Sequence, residues 1–370
     1  VSDIAVIFGG PSPEHDVSVL TGLQAAHELQ RAGRTVQALY WSKTAEWFAV
    51  DAALEATAFL DGVPRGAQPM RLVLGAGGGF EATGGRFSKQ KATEFEAAVV
   101  CCHGGPGEDG TLQAALDGAG LPYTGPSVAG AALGMDKLAF GGVMVAAGLP
   151  SLPRVVLTVE TDAVGFDGPY IVKPRFGGSS IGIQVVEDLP TARALLIQSP
   201  HLRAGAVLEP YRPDLYDVQV ALRCWPETEV SAIERPLRSS GAGSEILGYI
   251  DKYVGGEGMA SAPRELPADL PPSVADGVRQ AARRIGELAL VRGVARIDFL
   301  TDGVELMVNE VNTIPGSLGR YLWIDPVVPF ARLLTDMIGE ASARPTARYN
   351  AAGADGLVLR GASSIAAKLA

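Results

Sequence analysis

The sequence predicts an α/β protein of two or three domains, and three observations carry that prediction. Two strand–glycine-turn–helix units lie in the first third of the chain. A strand ends in Val172-Lys173-Pro174 ahead of a Gly/Ser loop, and a strand pair near the C-terminus follows a long periodic helix. The length of 370 residues fits two or three domains at about 100–200 residues each.

The first unit opens with the apolar run Asp3-Ile4-Ala5-Val6-Ile7-Phe8, closed by the turn Gly9-Gly10-Pro11. An apolar-periodic helix over 17–32 and a strand over 35–40 complete a βαβ spacing. From 44 to about 92 glycine is frequent and periodicity weak, so hairpins and loops are expected. A strand over 95–101 then runs into His103-Gly104-Gly105-Pro106-Gly107-Glu108-Asp109-Gly110, with a helix from Thr111. Ligands of open α/β sheets sit at the carboxyl ends of strands, so both glycine turns are candidate binding loops. Neither matches GxGxxG, which speaks against a dinucleotide site.

Further on, a short helical element is expected around Met135-Asp136-Lys137, and strands over 154–157 and 170–172. Longer strands follow Leu208, then a helix over 273–290 and strands over 293–300 and 305–311. Beyond Ala341 an Ala/Gly/Arg-rich tail without a period is expected to be flexible.

Composition excludes several classes. A formal net charge of −10 provides no basic face for releasing phosphate counterions, which argues against a nucleic-acid binder. A small anion remains admissible, because a few cations and backbone N–H groups suffice to bind one. The three cysteines make no disulfide framework; Cys101 and Cys102 read as part of a buried strand in a reducing compartment. No basic-then-apolar leader and no membrane-length apolar run are evident, so a cytoplasmic protein without a membrane partner is expected.

Three features need a ligand more than a core. In Val172-Lys173-Pro174-Arg175-Phe176-Gly177-Gly178-Ser179-Ser180-Ile181-Gly182, glycines let N–H groups approach phosphate oxygens, serines add donors and lysine adds charge. Alone, this segment reads equally as a surface hairpin. In Ala295-Arg296-Ile297-Asp298-Phe299-Leu300 and Val308-Asn309-Glu310-Val311-Asn312, period-two alternation puts Arg296 with Asp298 on one face and Glu310 with Asn312 on another. If the two strands pair, Asp298, Glu310 and Asn312 converge as hard oxygen ligands suited to Mg²⁺ shared with nucleotide phosphates. Glu14-His15-Asp16, taken locally, is a polar helix start.

Together the blocks GGPSPEHDVS, HGGPGEDGTLQ, MDK, VKPRFGGSSIG, DKY, ARIDF and NEVNTIPG, in that order, resemble the D-alanine–D-alanine ligase family of the ATP-grasp superfamily over about residues 4–334. The resemblance implies a three-domain ATP-grasp architecture: an N-terminal Rossmann-like (pre-ATP-grasp) α/β domain over 1–128, a central domain over 129–206, a C-terminal domain over 207–343 and a tail over 344–370. It implies an ATP- and Mg²⁺-dependent ligase, with two ions and Mn²⁺ able to substitute, acting on small amino acids as a homodimer. Lys137, Lys173, Ser180 and Lys252 would meet the phosphates, Glu209 and Tyr211 the base, and Asp217 the ribose. Glu14, Ser179 and Tyr253 would form a hydrogen-bonded trio, with Glu14 holding the donor ammonium. Arg296 and the N–H of Gly316 would stabilise the oxyanion, and Asp298, Glu310 and Asn312 would bind the metal.

The sequence departs from the family after Pro315-Gly316. There it reads Ser317-Leu318-Gly319-Arg320-Tyr321-Leu322-Trp323, with Tyr321 where the acceptor-binding serine is expected. Arg320 and Tyr321, with His103, are candidate substrate contacts, and Arg320 reads equally as a surface residue. Three readings stay open at this point: a D-alanine–D-alanine ligase, a ligase of the same chemistry with another amine acceptor, and a nucleotide-binding protein without catalysis.

Overall fold

The computed structural model describes residues 3–83, 92–237, 263–346, 351–362 and 364–369. Three sheets organise the chain. In the first, β1 (Asp3–Gly9) pairs in parallel with β2 (Val36–Trp41) on one side and β6 (Phe95–Val100) on the other. Ile4, Val6, Phe8 and their neighbours Ala5 and Ile7 are fully buried, as a strand covered on both faces requires. Helix α1 (His15–Arg31) covers one face, and Gly22 allows the approach: a Cβ there would lie 2.4 Å from the Phe8 side chain.

The stretch expected to be hairpins and loops extends this sheet with β3 (Trp47–Val50), β4 (Gln68–Val73) and β5 (Gly79–Ala82), all antiparallel. The resulting order is β5-β4-β3-β2-β1-β6. Trp41 and Trp47 stack across the β2–β3 pair at 4.8 Å, a cross-strand contact that weak local periodicity could not advertise. Cys101 and Cys102 follow β6, both free and fully buried.

After α2 (Thr111–Ala119), the segment expected as one short helix is a junction between two. α3 (Val128–Met135), capped by Ser127, stops at Asp136, whose extended backbone (φ −85°, ψ 98°) breaks the helical path. The Asp136 carboxylate then caps α4 (Lys137–Ala146), accepting from the N–H groups of Leu138 and Ala139.

The second sheet, β7-β10-β8-β9, consists of β7 (Val155–Leu157), β8 (Tyr170–Pro174), β9 (Gln184–Val186) and β10 (Ala206–Pro210), with α5 (Leu189–Gln198) before β10. It has a small core of its own built on Leu157, Val172, Ala192 and Leu208. The third sheet, β12-β11-β15-β16, contains β11 (Tyr216–Arg223), β12 (Glu229–Val230), β15 (Val294–Thr301) and β16 (Leu306–Asn312). Between them in sequence, β13 (Arg235–Pro236) and β14 (Arg264–Glu265) pair separately.

The helix Pro272–Leu288 packs Val278, Ala281 and Ile285 into the core of the third sheet, and Val274 is buried on the same face, giving the i, i+4, i+7, i+11 positions. Phe140 and Met144 of α4 join the same core, so packing ties α4 to this sheet. The helix Phe330–Ala343 returns to the first sheet, placing Leu333, Leu334 and Ile338 in the core of β1 and β6. The tail carries short helices over Leu357–Arg360 and Ile365–Leu369, in which Leu357, Val358, Leu359, Ile365 and Leu369 are exposed. Among the described residues, no helix is long and apolar enough to cross a membrane.

Candidate active site

The third sheet brings the three expected oxygen ligands together. Register sets Arg296 opposite Asn312 and Asp298 opposite Glu310. The pairing shifts between Asp298 and Phe299, because Phe299 faces Val308 and Asn309 becomes the extra residue of a bulge. The bulge carries Asn309 Oδ1 to 3.4 Å from Arg154 Nη2 and 3.5 Å from Lys173 Nζ. Arg296 donates to both Asp298 oxygens at 2.7 Å, and Asn312 Nδ2 donates to Asp298 Oδ2 at 3.2 Å. A carboxylate offers about four lone-pair directions, so three donors leave Asp298 with capacity for a cation.

Among the described residues no group of three or more His, Cys, Asp or Glu side chains is placed to hold a metal ion. The set here is two carboxylates and a carboxamide, all hard oxygens. That composition fits Mg²⁺ completed by phosphates and water better than a cage built from protein alone.

A cleft between the second and third sheets collects the expected nucleotide residues. Lys137, Lys173, Ser180, Glu209, Tyr211 and Asp217 all line it, as do Asp298 and Glu310. Glu209 is fully buried, with Lys173 Nζ and Arg154 Nε each 2.7 Å from its carboxylate. Burial alone would raise its pKa; the two cations outweigh that and hold Glu209 below the usual carboxylate value. The Arg154 Nε–H points off the line to Glu209, so that contact is an ion pair more than a hydrogen bond. Lys137 Nζ donates to the Gly177 carbonyl and lies 3.8 Å from Glu310; its burial lowers its pKa.

At the other end, Glu14 precedes α1 and accepts a hydrogen bond from the Ser179 hydroxyl. Its carboxylate lies against Gly104 and Gly178, where Cβ atoms would come within 2.3 and 3.0 Å of Oε2. Gly104 also has φ +64°, so both its space and its backbone exclude a side chain. The loop bearing Gly177, Gly178 and Ser179 is moored by Arg175, which grips both Asp136 oxygens at 2.8 and 2.6 Å. A small cavity joins Glu14 and Glu108 to Lys137, Glu310 and Asn312.

One expected substrate contact is corrected. His103 is buried with both ring nitrogens taken, Nδ1 by the Ile314 carbonyl at 2.7 Å and Nε2 by the Thr21 hydroxyl at 2.8 Å, so it presents nothing to a substrate. Arg320 is exposed and stacks on Phe330, 5.6 Å from the ring centre. Tyr321 differs. Its ring lies beneath Arg264 at 4.7 Å, and its buried hydroxyl has no hydrogen-bond partner among the described residues. Burial and the nearby Glu234 raise its pKa, with Arg296 and Asp298 also close. Lys252 and Tyr253 lie outside the described residues.

The sequence reading missed Arg154, Asn309, Thr21 and Glu108. Glu108 stood in a quoted glycine block, but only the fold shows it accepting from Gly104 N–H at 3.0 Å and Ile314 N–H at 2.9 Å. Arg154 had no local signal, because its partner Glu209 is 55 positions away in sequence.

Comparison with known proteins places the whole chain in a family. The family model for the D-ala D-ala ligase N-terminus matches residues 3–126, and that for the D-ala D-ala ligase C-terminus matches 143–338. A D-alanine–D-alanine ligase of Sodalis glossinidius (strain morsitans) is 32% identical over 94% of this chain and 96% of its own length. One from Bradyrhizobium sp. (strain ORS 278) is 29% identical over 92% and 95%. Among solved structures, the D-alanine-D-alanine ligase of Coxiella burnetii superposes with a TM-score of 0.75 at 21% identity, covering 99% of both chains. The VanG D-Ala:D-Ser ligase of Enterococcus faecalis gives 0.72 at 23% identity, over 92% of this chain and 99% of its own.

Proposed function

This chain belongs to the D-alanine–D-alanine ligase family of ATP-dependent, C–N bond-forming enzymes, and from that premise we propose that it joins two D-alanines through an acyl phosphate. The observation that carries the reading is the register of β15 and β16. It gathers Asp298, Glu310 and Asn312 beside a cleft that also receives Lys137 and Lys173.

A carboxylate is a poor electrophile, so activation comes first. The donor carboxylate oxygen attacks the γ-phosphorus and the bond to the ADP oxygen breaks. The acceptor, as the free amine, then bonds to the carbonyl carbon, the C–O bond to phosphate breaks with the electron pair leaving on phosphate, and the proton lost from nitrogen goes to the departing phosphate. Mg²⁺ held by Asp298, Glu310 and Asn312 would supply charge neutralisation at the phosphates, with two ions expected and Mn²⁺ an adequate substitute.

In this reading Lys137, Lys173, Ser180 and Lys252 hold the phosphates. Glu209 and Tyr211 face the base, and Asp217 faces the ribose. The Lys173–Glu209–Arg154 cluster supports this end of the site by fixing two cations around one buried carboxylate. Glu14 and Ser179, with Tyr253, orient the donor ammonium. Arg296 and the Gly316 N–H stabilise the oxyanion, and the Tyr321 hydroxyl faces the acceptor.

The same reading divides the chain into domains at 1–128, 129–206 and 207–343, with a tail over 344–370. It makes the enzyme a cytoplasmic homodimer, which sedimentation of the full chain tests. A phosphate-release assay with MgATP and D-alanine, followed by product analysis, tests the activity. D-alanyl-D-alanine equal to the ADP formed is expected; ADP without dipeptide would sink the acceptor assignment, and no turnover would sink the ligase reading.

A further inference from the structure

We propose that Thr21 and His103, with Glu108, are positioning residues that hold the segment 313–317 and aim the Gly316 N–H for the amide-forming step. The proposal rests on the oxyanion role given to Gly316 above and deepens it. Nothing in the sequence motifs assigns Thr21 any part in the reaction.

Every contact in the grip has a definite direction. The Ile314 carbonyl can only accept, so His103 Nδ1 carries the proton in their 2.7 Å bond. The ring is buried and neutral, with its pKa lowered to about 4, so Nε2 is an acceptor and the Thr21 hydroxyl donates to it at 2.8 Å. That leaves Thr21 Oγ1 to accept from the Ser317 N–H at 3.0 Å. On the other side of the same residue, Ile314 N–H donates to Glu108 Oε1 at 2.9 Å, and the Thr313 hydroxyl donates to the same oxygen at 3.2 Å. Both backbone polar groups of Ile314 and the N–H of Ser317 are therefore held by side chains of the first-sheet domain.

Between those fixed points lie only Pro315 and Gly316. Pro315 sits at φ −72°, the value its ring dictates, so little freedom remains for the peptide plane that presents Gly316 N–H. The chain beyond also needs restraint. Ser317 and Leu318 both have φ +50°, a left-handed conformation that costs a non-glycine residue about 1–2 kcal/mol. Leu318 is fully buried, and the Thr21 bond to Ser317 adds the polar restraint. A hydroxyl on α1 thus helps fix a turn supplied by the C-terminal part of the chain.

The test separates the two chemical steps in the full-length enzyme. Donor-dependent migration of ¹⁸O from the βγ-bridge of ATP reports acyl-phosphate formation, and dipeptide production reports amide formation. Thr21→Val should lower kcat for dipeptide by about ten- to a hundredfold, the cost of misplacing a group by about 1 Å, while isotope exchange and the KM for ATP stay within about twofold. Thr21→Ser should restore dipeptide formation. Should Thr21→Val fail to fold, Glu108→Gln, which keeps an oxygen towards Ile314 N–H, should outperform Glu108→Ala in the same selective way.

Wild-type dipeptide rates in Thr21→Val, equal losses in both steps, or a Thr21→Ser variant as impaired as valine would each overturn the proposal. A wild-type enzyme that shows neither exchange nor dipeptide would instead remove the ligase reading, and this inference with it.

Discussion

Asp298 and Glu310 face each other across β15 and β16, one residue before the ladder shifts register at Asn309. That position matters because both carboxylates then meet the cleft next to Lys137, with Arg296 already bonded to Asp298. The bulge sends Asn309 to the opposite neighbours, Arg154 and Lys173. One extra residue thereby links the Asp298–Glu310 pair to the cations around the buried Glu209 carboxylate.

That linkage makes Arg154 more than a surface cation. Arg154→Met leaves the fully buried Glu209 with Lys173 as its remaining close cation, and removal of one partner from a buried pair typically costs about 3–5 kcal/mol. Arg212→Ala breaks an exposed pair with Asp214 and should leave stability near wild type. Denaturant unfolding of both variants checks the contrast; equal midpoints would contradict it. Arg154→Met should also raise the KM for ATP.

His103 and Glu108 hold the carbonyl and the N–H of Ile314, and their pKa values shift in opposite directions. Burial lowers His103 from 6.5 to about 4, with Arg296 also lowering it; burial, then Glu14, raises Glu108 from 4.5 to about 7. As pH falls from 6.5 to 4 the unfolded chain takes up the His103 proton first, so stability falls by up to about 1.4 kcal/mol per pH unit. As pH falls from 7 to 4.5 the folded chain takes up the Glu108 proton first, so stability rises at a similar rate. The two largely offset in the wild type. Glu108→Gln removes the second contribution, and its melting temperature should drop more steeply than wild type between pH 6.5 and 4. Parallel curves would show that the two groups do not oppose each other.

Gly104→Ala tests the donor end. The new Cβ would lie 2.3 Å from Glu14 Oε2 at a backbone φ of +64°. Displacing a charged hydrogen-bonding group typically costs about 1.5–3 kcal/mol, or roughly ten- to a hundredfold in binding. The KM for the donor amino acid should rise by that factor while the KM for ATP is unchanged. A rise in both, or in neither, would place Glu14 elsewhere than at the donor ammonium.

Much of this site was legible in the sequence, for a physical reason. Strand alternation is a strict period of two, so Arg296 with Asp298, and Glu310 with Asn312, had to share faces once the strands paired. The glycine loops were equally visible, because backbone approach to a ligand or carboxylate leaves its mark as glycine. Pairings between distant segments were not visible: Arg154 with Glu209, Thr21 with His103, Glu108 with Ile314. Each depends on how one element docks on another. Met135-Asp136-Lys137 failed differently, since an aspartate inside an apolar run reads as helix until its side chain is seen capping the next one. The strands β3 to β5 were obscured by the glycine-rich connections between them and by their short lengths, and cross-strand stacking such as Trp41 on Trp47 helps fix them.

The proposed role of Asp298 and Glu310 as the metal end of an ATP-dependent D-alanine ligase is open to direct experiment. Its most direct test is the Mg²⁺ dependence of D-alanyl-D-alanine synthesis at saturating ATP, comparing wild type with Glu310→Gln. Glutamine preserves size and hydrogen bonding but removes the negative charge. Dipeptide synthesis should fall by about a hundredfold or more, the scale of several kcal/mol of lost charge stabilisation, with an unchanged melting temperature. A Glu310→Gln enzyme that makes dipeptide at the wild-type rate with the wild-type Mg²⁺ requirement would contradict it.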